Sequence, residues 1–406
     1  MKPKPHPRPA LPFIFVTLLL DMLGLGLILP VMPGLVADLS GMQASQSYGL
    51  LIALYALAQL LASPLLGSLS DRIGRRPVLL GSTLLAAVAY LMITFSPSLG
   101  FLMLARALSG VAAASAGVAN AFIADLSTPE NRARHFGMVG AALSLGLIVG
   151  PALGGILGQH GLRLPFMVAA GCALLNGLYG LVFLQESLPS EKRHPQKPDP
   201  RIGFQTLWNT SGLRVLGWVS LLTSLALQCI TSTWVLHGAN RYQWGPSESG
   251  LALTAAGVLG VLVQVFLVGK VLKRLGIHAS ILLALLCGTV GYLMYGLSSQ
   301  AWMFYLFMPI SCLMGIGGPA LQAQVAARTP THLQGNVQGS FSALGSLAGV
   351  FGPLVATQLF EHFTRPSNLQ LPGVAFFAAA LLVLSAAVVY HLQETRQSSA
   401  SHTQIQ

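Results

Sequence analysis

Three charged residues lie within or at the edge of long apolar runs. Asp21 stands in LLLDMLGLGLILPVMPGL and Arg106 in ARALSGVAAASAGVANAFIADL, a run that Asp125 closes. An ionisable group at membrane depth is costly and marks a functional position by default. A carboxylic acid buried there could bind and release a proton as access to it alternates. Arg106 is the opposite charge expected to answer Asp21, and Asp125, near the inner surface, is taken as the third member of a proton-coupling set. The alternative is a pair that only fixes helix packing.

A second cluster of charge sits in GSLSDRIGRRPVLL, residues 67–80, where Asp71, Arg72, Arg75 and Arg76 fall between two apolar runs. Gly67 and Gly74 are expected to allow a tight turn and close helix approach, and Asp71 is placed to accept bonds from a neighbouring helix end or an arginine. Amides dot other runs: Gln59, Asn120, Asn176, Gln228, Gln264, Gln322 and Gln324, with Gln338 beside them. Some should line a substrate cavity, because a lipid-facing amide is expensive, and others should be interhelical bonds. The run GAALSLGLIVGPALGGILG places Gly140, Gly146, Gly150, Pro151, Gly154 and Gly155 along one helix, several at spacings of four, as close helix contact in lipid requires.

Other chemistry finds no footing. Cys172, Cys229, Cys287 and Cys312 lie inside apolar runs and form neither metal-ligand spacing nor a disulfide framework. His237 and His278 read as helix-end residues. The GxG string at Gly24–Gly26 lies inside an apolar run, and no nucleotide-binding loop or nucleophile–base pair appears, so an enzyme or ATP-driven pump is not expected. No metal site and no bound cofactor are expected either.

The elements that must hold these residues follow from composition. Charged residues make up 8% of the 406 and apolar residues 53%, against about 25% charged in soluble domains. The chain has too little polar surface to cover a water-facing globule. Apolar runs of roughly 20 residues match a hydrocarbon core about 30 Å thick, and in lipid they must be helices. The pattern predicts an all-α membrane protein with twelve spans near 11–36, 48–69, 78–95, 99–124, 136–158, 164–184, 214–237, 248–270, 278–297, 301–327, 336–360 and 372–391. The first is read as a retained span and not a cleaved targeting segment.

With both termini cytoplasmic, 18 of the 22 Lys and Arg residues fall on the inner side; Arg163, Arg241 and Arg365 fall outside, and Arg106 lies within a span. This is the positive-inside pattern, so the net charge of +11 reports topology and no nucleic-acid partner. The polar, proline-rich stretch 185–213 reads as a cytoplasmic linker between an N-terminal six-helix bundle, 1–184, and a C-terminal one, 214–393, followed by a tail, 394–406. The halves look duplicated: Gly67, Gly74, Gly137 and Gly150-Pro151 match Gly269, Gly276, Gly339 and Gly352-Pro353, each 202 residues on. Lys273 stands where the copy of Asp71 would be.

The loop 67–80 resembles the signature loop of the major facilitator superfamily, where it acts as a cytoplasmic latch, and the glycine run resembles the motif of that family's drug/proton exporters. Across nearly its full length the chain is similar to the tetracycline/proton antiporters of Gram-negative bacteria, through LIALYALAQLLASPLLGSLSDRIGRRPVLL, STWVLHGANRYQW, GGPALQAQV and QGSFSALGSLAGVFGP. The resemblance implies two pseudo-symmetric bundles and proton-driven efflux of small amphipathic drugs, including a magnesium–drug chelate as a candidate substrate. It also implies a monomer in the inner membrane, and roles for Asp21, Gln59, Asp71, Arg75, Arg106, Asp125 and Gln264. Departures are as specific. Ala89, Gly260 and Gly288 stand where those antiporters carry an acid, a histidine and an acid, and no acid is expected inside a C-terminal span. A uniporter or exporter of a different metabolite with altered coupling is therefore the alternative, with a transporter-like sensor behind it.

Overall fold

The structure, a computed structural model, describes residues 10–40, 44–128, 131–188, 200–330, 333–365 and 367–403, and the side chains of these apart from 10–14, 132–133, 200–201, 211 and 394–403. The basic N-terminus, residues 189–199 of the linker between the halves and the last residues of the tail lie outside this set. Among the described residues all regular structure is helical: α1 Ala10–Ile28, α2 Met32–Ser40, α3 Ala44–Ile73, α4 Arg75–Thr94, α5 Leu99–Ala113, α6 Ala116–Asp125, α7 Arg132–His160, α8 Leu164–Phe183, α9 Pro200–Asn209, α10 Ser211–Tyr242, α11 Pro246–Leu262, α12 Val268–Leu297, α13 Ala301–Cys312, α14 Gly317–Arg328, α15 Gln334–Thr364 and α16 Val374–Thr403.

Ten helical stretches among the described residues are long and apolar enough to cross a membrane, and α1 with α2 forms an eleventh span bent by 48°. The bend falls at residues 29–31, where the ring of Pro30 removes a backbone donor. One of the ten, Pro246–Leu297, is 52 residues long, about 78 Å at the helical rise. It turns at Gly276, whose φ of 75° and ψ of 172° are not helical, so it supplies the eighth and ninth expected spans together.

The first signature loop is shorter than its charges suggest. Helix α3 runs on to Ile73 and α4 begins at Arg75, so the turn is essentially one residue, Gly74, at φ 108°. The expected span 48–69 is thus several residues short. Polar side chains beyond the apolar core cost nothing in water, and continuing the helix keeps the backbone bonded. Gly74 and Gly276 both hold the left-handed backbone that a side chain would strain.

The described residues form two compact units: 10–188 with 245–255, and 200–244 with 256–403. In the first, α1 packs on α7 and α8, and α4 on α8 and α5; in the second, α10 packs on α15 and α16, and α12 on α16 and α13. Spans in equivalent places are also irregular in equivalent places. The fourth span loosens at Ala114–Ser115 between α5 and α6, and the tenth passes through a 3₁₀ turn at Leu313–Ile316. Beside α11, Val263–Leu267 form a π-helical turn, a feature often found at functional positions.

Candidate proton and substrate site

Two glycines determine how the first unit arranges its buried charges. Gly110 lies one turn beyond Arg106, and a Cβ there would meet the Tyr55 carbonyl and come within 3.0 Å of Ala58 Cβ. Only a bare backbone lets α5 press so closely on α3. Arg106 is thereby buried with its guanidinium 4.5 Å from the centre of the Tyr55 ring, a cation–π arrangement. On α1, Gly24 leaves room for Tyr90, whose hydroxyl oxygen would lie 3.2 Å from a Cβ at that position.

Asp21, Tyr55, Tyr90 and Arg106 line one cavity of about 90 Å³, together with Ala112, Ala113 and Ser115 where the fourth span loosens. Of its three lining serines, Ser109 bonds backward to the Ala105 carbonyl at 2.9 Å and Ser115 to the Ala112 carbonyl at 2.8 Å; Ser82 is the third. Asp21 and Arg106 both line this cavity. Among the described residues, however, they form no ion pair, and Arg106 Nε is buried without a hydrogen-bond partner. A carboxyl and a guanidinium thus line one small, mostly apolar cavity together with two tyrosines.

Asp125 is placed elsewhere. Its carboxylate receives Arg75 Nε at 3.4 Å and the Ser187 hydroxyl at 3.1 Å. Arg75 also pairs with Asp71 and donates to the Ser70 hydroxyl at 2.6 Å. The charges of the signature loop and of the end of the fourth span therefore form one cluster, distinct from the cavity. Glu186 completes it: its two carboxylate oxygens accept the backbone N–H groups of Arg75 at 2.8 Å and Arg76 at 3.2 Å. These are unpaired donors at the start of α4, where negative charge is favoured. Arg76 reaches the Leu181 carbonyl at 2.8 Å, and Arg72 is exposed. Sequence reading passed over Glu186 as the start of the linker. The signal was available, since LQES at 184–187 recurs as LQET at 392–395. Gly67 has open space where a Cβ would stand, so it makes no close approach.

The amides divide. Asn176 is buried and accepts from the Thr17 hydroxyl at 3.2 Å, joining α8 to α1. Gln324 is buried and accepts from the Tyr390 hydroxyl at 2.7 Å, joining α14 to α16. Gln59 reaches the Ala113 carbonyl at 3.5 Å, beside the cavity, and Gln228 accepts from Thr231 on its own helix at 3.3 Å. Asn120, Gln264 and Gln322 expose their side chains, Gln264 from the π-helical turn.

The glycine run packs as two faces. A Cβ on Gly146 would lie 2.7 Å from Met22 Cβ, one on Gly150 2.7 Å from Gly26 Cα, and one on Gly154 2.8 Å from Leu27 Cα. This face of α7 is in backbone contact with α1, the helix that carries Asp21. Pro151 touches the same place, its Cδ 2.8 Å from a Cβ on Gly26. Gly155 faces Pro246 and Ser247 of segment 245–255, which groups with this unit, whereas Gly140 has open space.

In the second unit, one expectation is overturned. Glu361 is buried in α15 and receives Arg365 at 3.2 Å, so a C-terminal span does hold an acid. Sequence reading ended that span at 360; α15 continues to Thr364. His237 is also fully buried, with Nδ1 3.0 Å from the Pro372 carbonyl and Nε2 3.4 Å from the Tyr242 hydroxyl. Among the described residues no three His, Cys, Asp or Glu side chains are grouped to hold a metal ion.

The sequence profile of the Major Facilitator Superfamily matches residues 14–353. The chain belongs to the major facilitator superfamily. It is 38% identical over 378 residues to the class C tetracycline resistance protein of Escherichia coli, covering 92% of this chain and 94% of that one. To the quinolone resistance protein NorA of Staphylococcus aureus it is 27% identical over 377 residues, 91% and 95% of the two chains. The crystal structure of the human organic anion transporter MFSD10 superposes with a TM-score of 0.70 at 24% identity, covering 95% of this chain and all of that one. This major facilitator protein is a multi-pass inner-membrane transporter and not an enzyme. Transporters of its family generally need no bound cofactor.

Proposed function

We propose that this major facilitator protein is a drug efflux antiporter that exchanges protons for small amphipathic drugs by alternating access, working as a monomer with both termini cytoplasmic. The observation that carries this reading is the cavity lined together by Asp21, Arg106, Tyr55 and Tyr90. With Asp21 ionised, the cavity's two formal charges cancel; with it protonated, Arg106 stands alone over Tyr55. Each protonation step therefore changes the charge a substrate meets by one unit, inside a space where charge is weakly screened. That change is the lever by which proton binding on one side can drive drug release there.

The cluster Asp71, Arg75, Asp125 and Glu186 serves as the latch. It joins the end of α3, the start of α4, the end of α6 and the segment after α8 through charge-assisted bonds, which can form and break as a unit. The names of the relatives, which confer tetracycline or quinolone resistance, place aromatic antibiotics first among substrates to try, a magnesium–tetracycline chelate included.

The test is proton movement in everted vesicles held acid inside and read by a pH-sensitive dye. Drug-evoked proton release that Asp21→Asn abolishes is the expected result. Release that persists in the variant, or silence across tetracycline, quinolone, cationic and neutral compounds with folded protein present, would overturn the reading.

A further inference from the structure

The second unit holds a cavity in the place that matches the proton cavity of the first. It encloses about 380 Å³ between α10, α12 and the 3₁₀ turn at Leu313–Ile316, against about 90 Å³ in the first unit. The correspondence is residue by residue at the offset of 202. Thr223 stands for Asp21, Tyr292 for Tyr90, Ser311 for Ser109 and Met314 for Ala112, and all eight line their cavities. Arg106 is replaced by Met308, which is buried. No Asp, Glu, Lys, Arg or His is among the residues lining the larger space.

Its hydroxyls are mostly spent. Thr223 donates to the Val219 carbonyl at 2.8 Å, and Ser311 to the Met308 carbonyl at 2.9 Å while meeting the Tyr295 hydroxyl at 2.7 Å. Gly288 adds no polar group either; a Cβ there would stand 2.6 Å from the Met314 sulfur. Two hydroxyls are left, those of Ser224 and Tyr292. Tyr292 is 6% exposed, and its hydroxyl makes no hydrogen bond to any described residue. A hydroxyl that lines the cavity and bonds to no described residue is available to donate to a ligand. A space of a few hundred Å³ with mostly apolar walls and two such hydroxyls, Tyr292 the more buried, has the make-up of a small-molecule pocket.

We propose that the second unit carries its own ligand site, which takes an uncharged aromatic molecule and hydrogen-bonds a carbonyl or ether oxygen of it through Tyr292. This rests on the efflux reading in assigning the ligand to transport, but the binding itself requires no gradient. Charged drugs are excluded because nothing in the cavity offsets their desolvation.

Benzophenone, a neutral aromatic ketone that crosslinks on irradiation, is a suitable probe of the full chain in lipid nanodiscs. Adducts should map to α10, α12 and residues 311–318 and should be competed by unlabelled neutral aromatic ketones but not by ethidium. Tyr292→Phe removes one hydrogen bond and should weaken competition by the ketone about three- to tenfold, while diphenylmethane, which lacks the oxygen, is unaffected. Gly315→Leu and Gly318→Leu fill the cavity, and an added Cβ at either meets open space, so both should fold and lose the adducts. Adducts spread over the lipid-facing surface, adducts unchanged in both filled variants, or competition by lipid acyl chains in preference to ketones would overturn the proposal. Asp21→Asn separates the two readings, because it should stop proton exchange and leave benzophenone labelling intact. Labelling without drug-evoked exchange in the unaltered chain would sink the antiport reading alone, and exchange without mapped labelling the ligand site alone.

Discussion

The two loops 67–76 and 269–278 lie at the same offset of 202 residues as the other matching glycines and differ in what holds them. Both end a helix at a glycine with positive φ, Gly74 and Gly276. In the first, Arg75 gathers Asp71 and Asp125, and Glu186 covers the opening N–H groups of α4. In the second, Lys273 replaces the acid and lies exposed. The interior repeats the lesson: Asp21 and Arg106 in one half correspond to Thr223 and Met308 in the other. Backbone geometry is shared, and charge is concentrated in the first half. A bundle needs the glycine turn and the loosened span to fold and flex, whereas a proton needs an acid in only one place. The same backbone plan thus occurs twice, while an acid and an arginine at these two matched positions occur only in the first half.

The severest way to break this comparison is to exchange the acid and its counterpart. Asp21→Asn is expected to cut drug-evoked proton exchange by about 100-fold or more, the scale of a positioned proton-transfer group. Thr223→Val should leave exchange nearly intact, since that hydroxyl already bonds within its own helix. Vesicle assays of both variants decide it, and equal losses would mean the halves share the proton route.

The glycine face of α7 comes next. Positions 146, 150 and 154 are glycine, while their counterparts are Ala348, Gly352 and Ala356. Only the first half thus has the fully bare face, and only there does the backbone of α7 lie on that of α1. Gly150→Val should lower stability by about 1–3 kcal/mol through overpacking, because the obstacle is the Gly26 backbone at 2.7 Å. Gly140→Ala, with open space around it, should change stability by less than about 0.5 kcal/mol. Thermal unfolding in detergent reads both.

Loss of the Glu186 carboxylate is a smaller effect. Glu186→Ala should destabilise by about 1 kcal/mol, the usual scale of a helix N-cap, and slow transport as the latch loosens. Lys273→Ala in the second loop should do neither. A thermal shift equal in the two variants would mean that Glu186 contributes no more than an exposed loop charge.

How much of this was legible in the sequence differs by feature. The spans, their apolar character and the duplicated glycines could be read because hydropathy and helical turn chemistry act locally. Asp21 and Arg106 stood out because charge is so scarce around them. What sequence could not show is contact. Asp125 looked like a partner of the cavity because it ends the same span as Arg106, yet ten helical residues carry it away to Arg75. Glu361 was missed by one residue at a span boundary, where an acid in water and an acid under a helix look alike. The larger cavity had no signal of its own, since it is defined by absent side chains at Gly315, Gly317 and Gly318.

The amides offer the finest discrimination, because residue type alone weighted them equally and only the resemblance singled out Gln59 and Gln264. Gln324 is buried and bonded to Tyr390; Gln264 is exposed on a π-helical turn. Gln324→Leu removes a buried hydrogen bond and should cost about 1 kcal/mol of stability with the apparent affinity for drug unchanged. Gln264→Leu should leave the unfolding temperature alone and alter drug affinity, because an exposed amide on an irregular turn has polar groups free for a passing ligand. If Gln324→Leu shifted affinity and Gln264→Leu shifted stability, the division of the amides into those that join helices and those that meet substrate would have to be reversed. Measuring both properties on both variants separates the roles, since a purely structural amide cannot change affinity without first changing the melting transition.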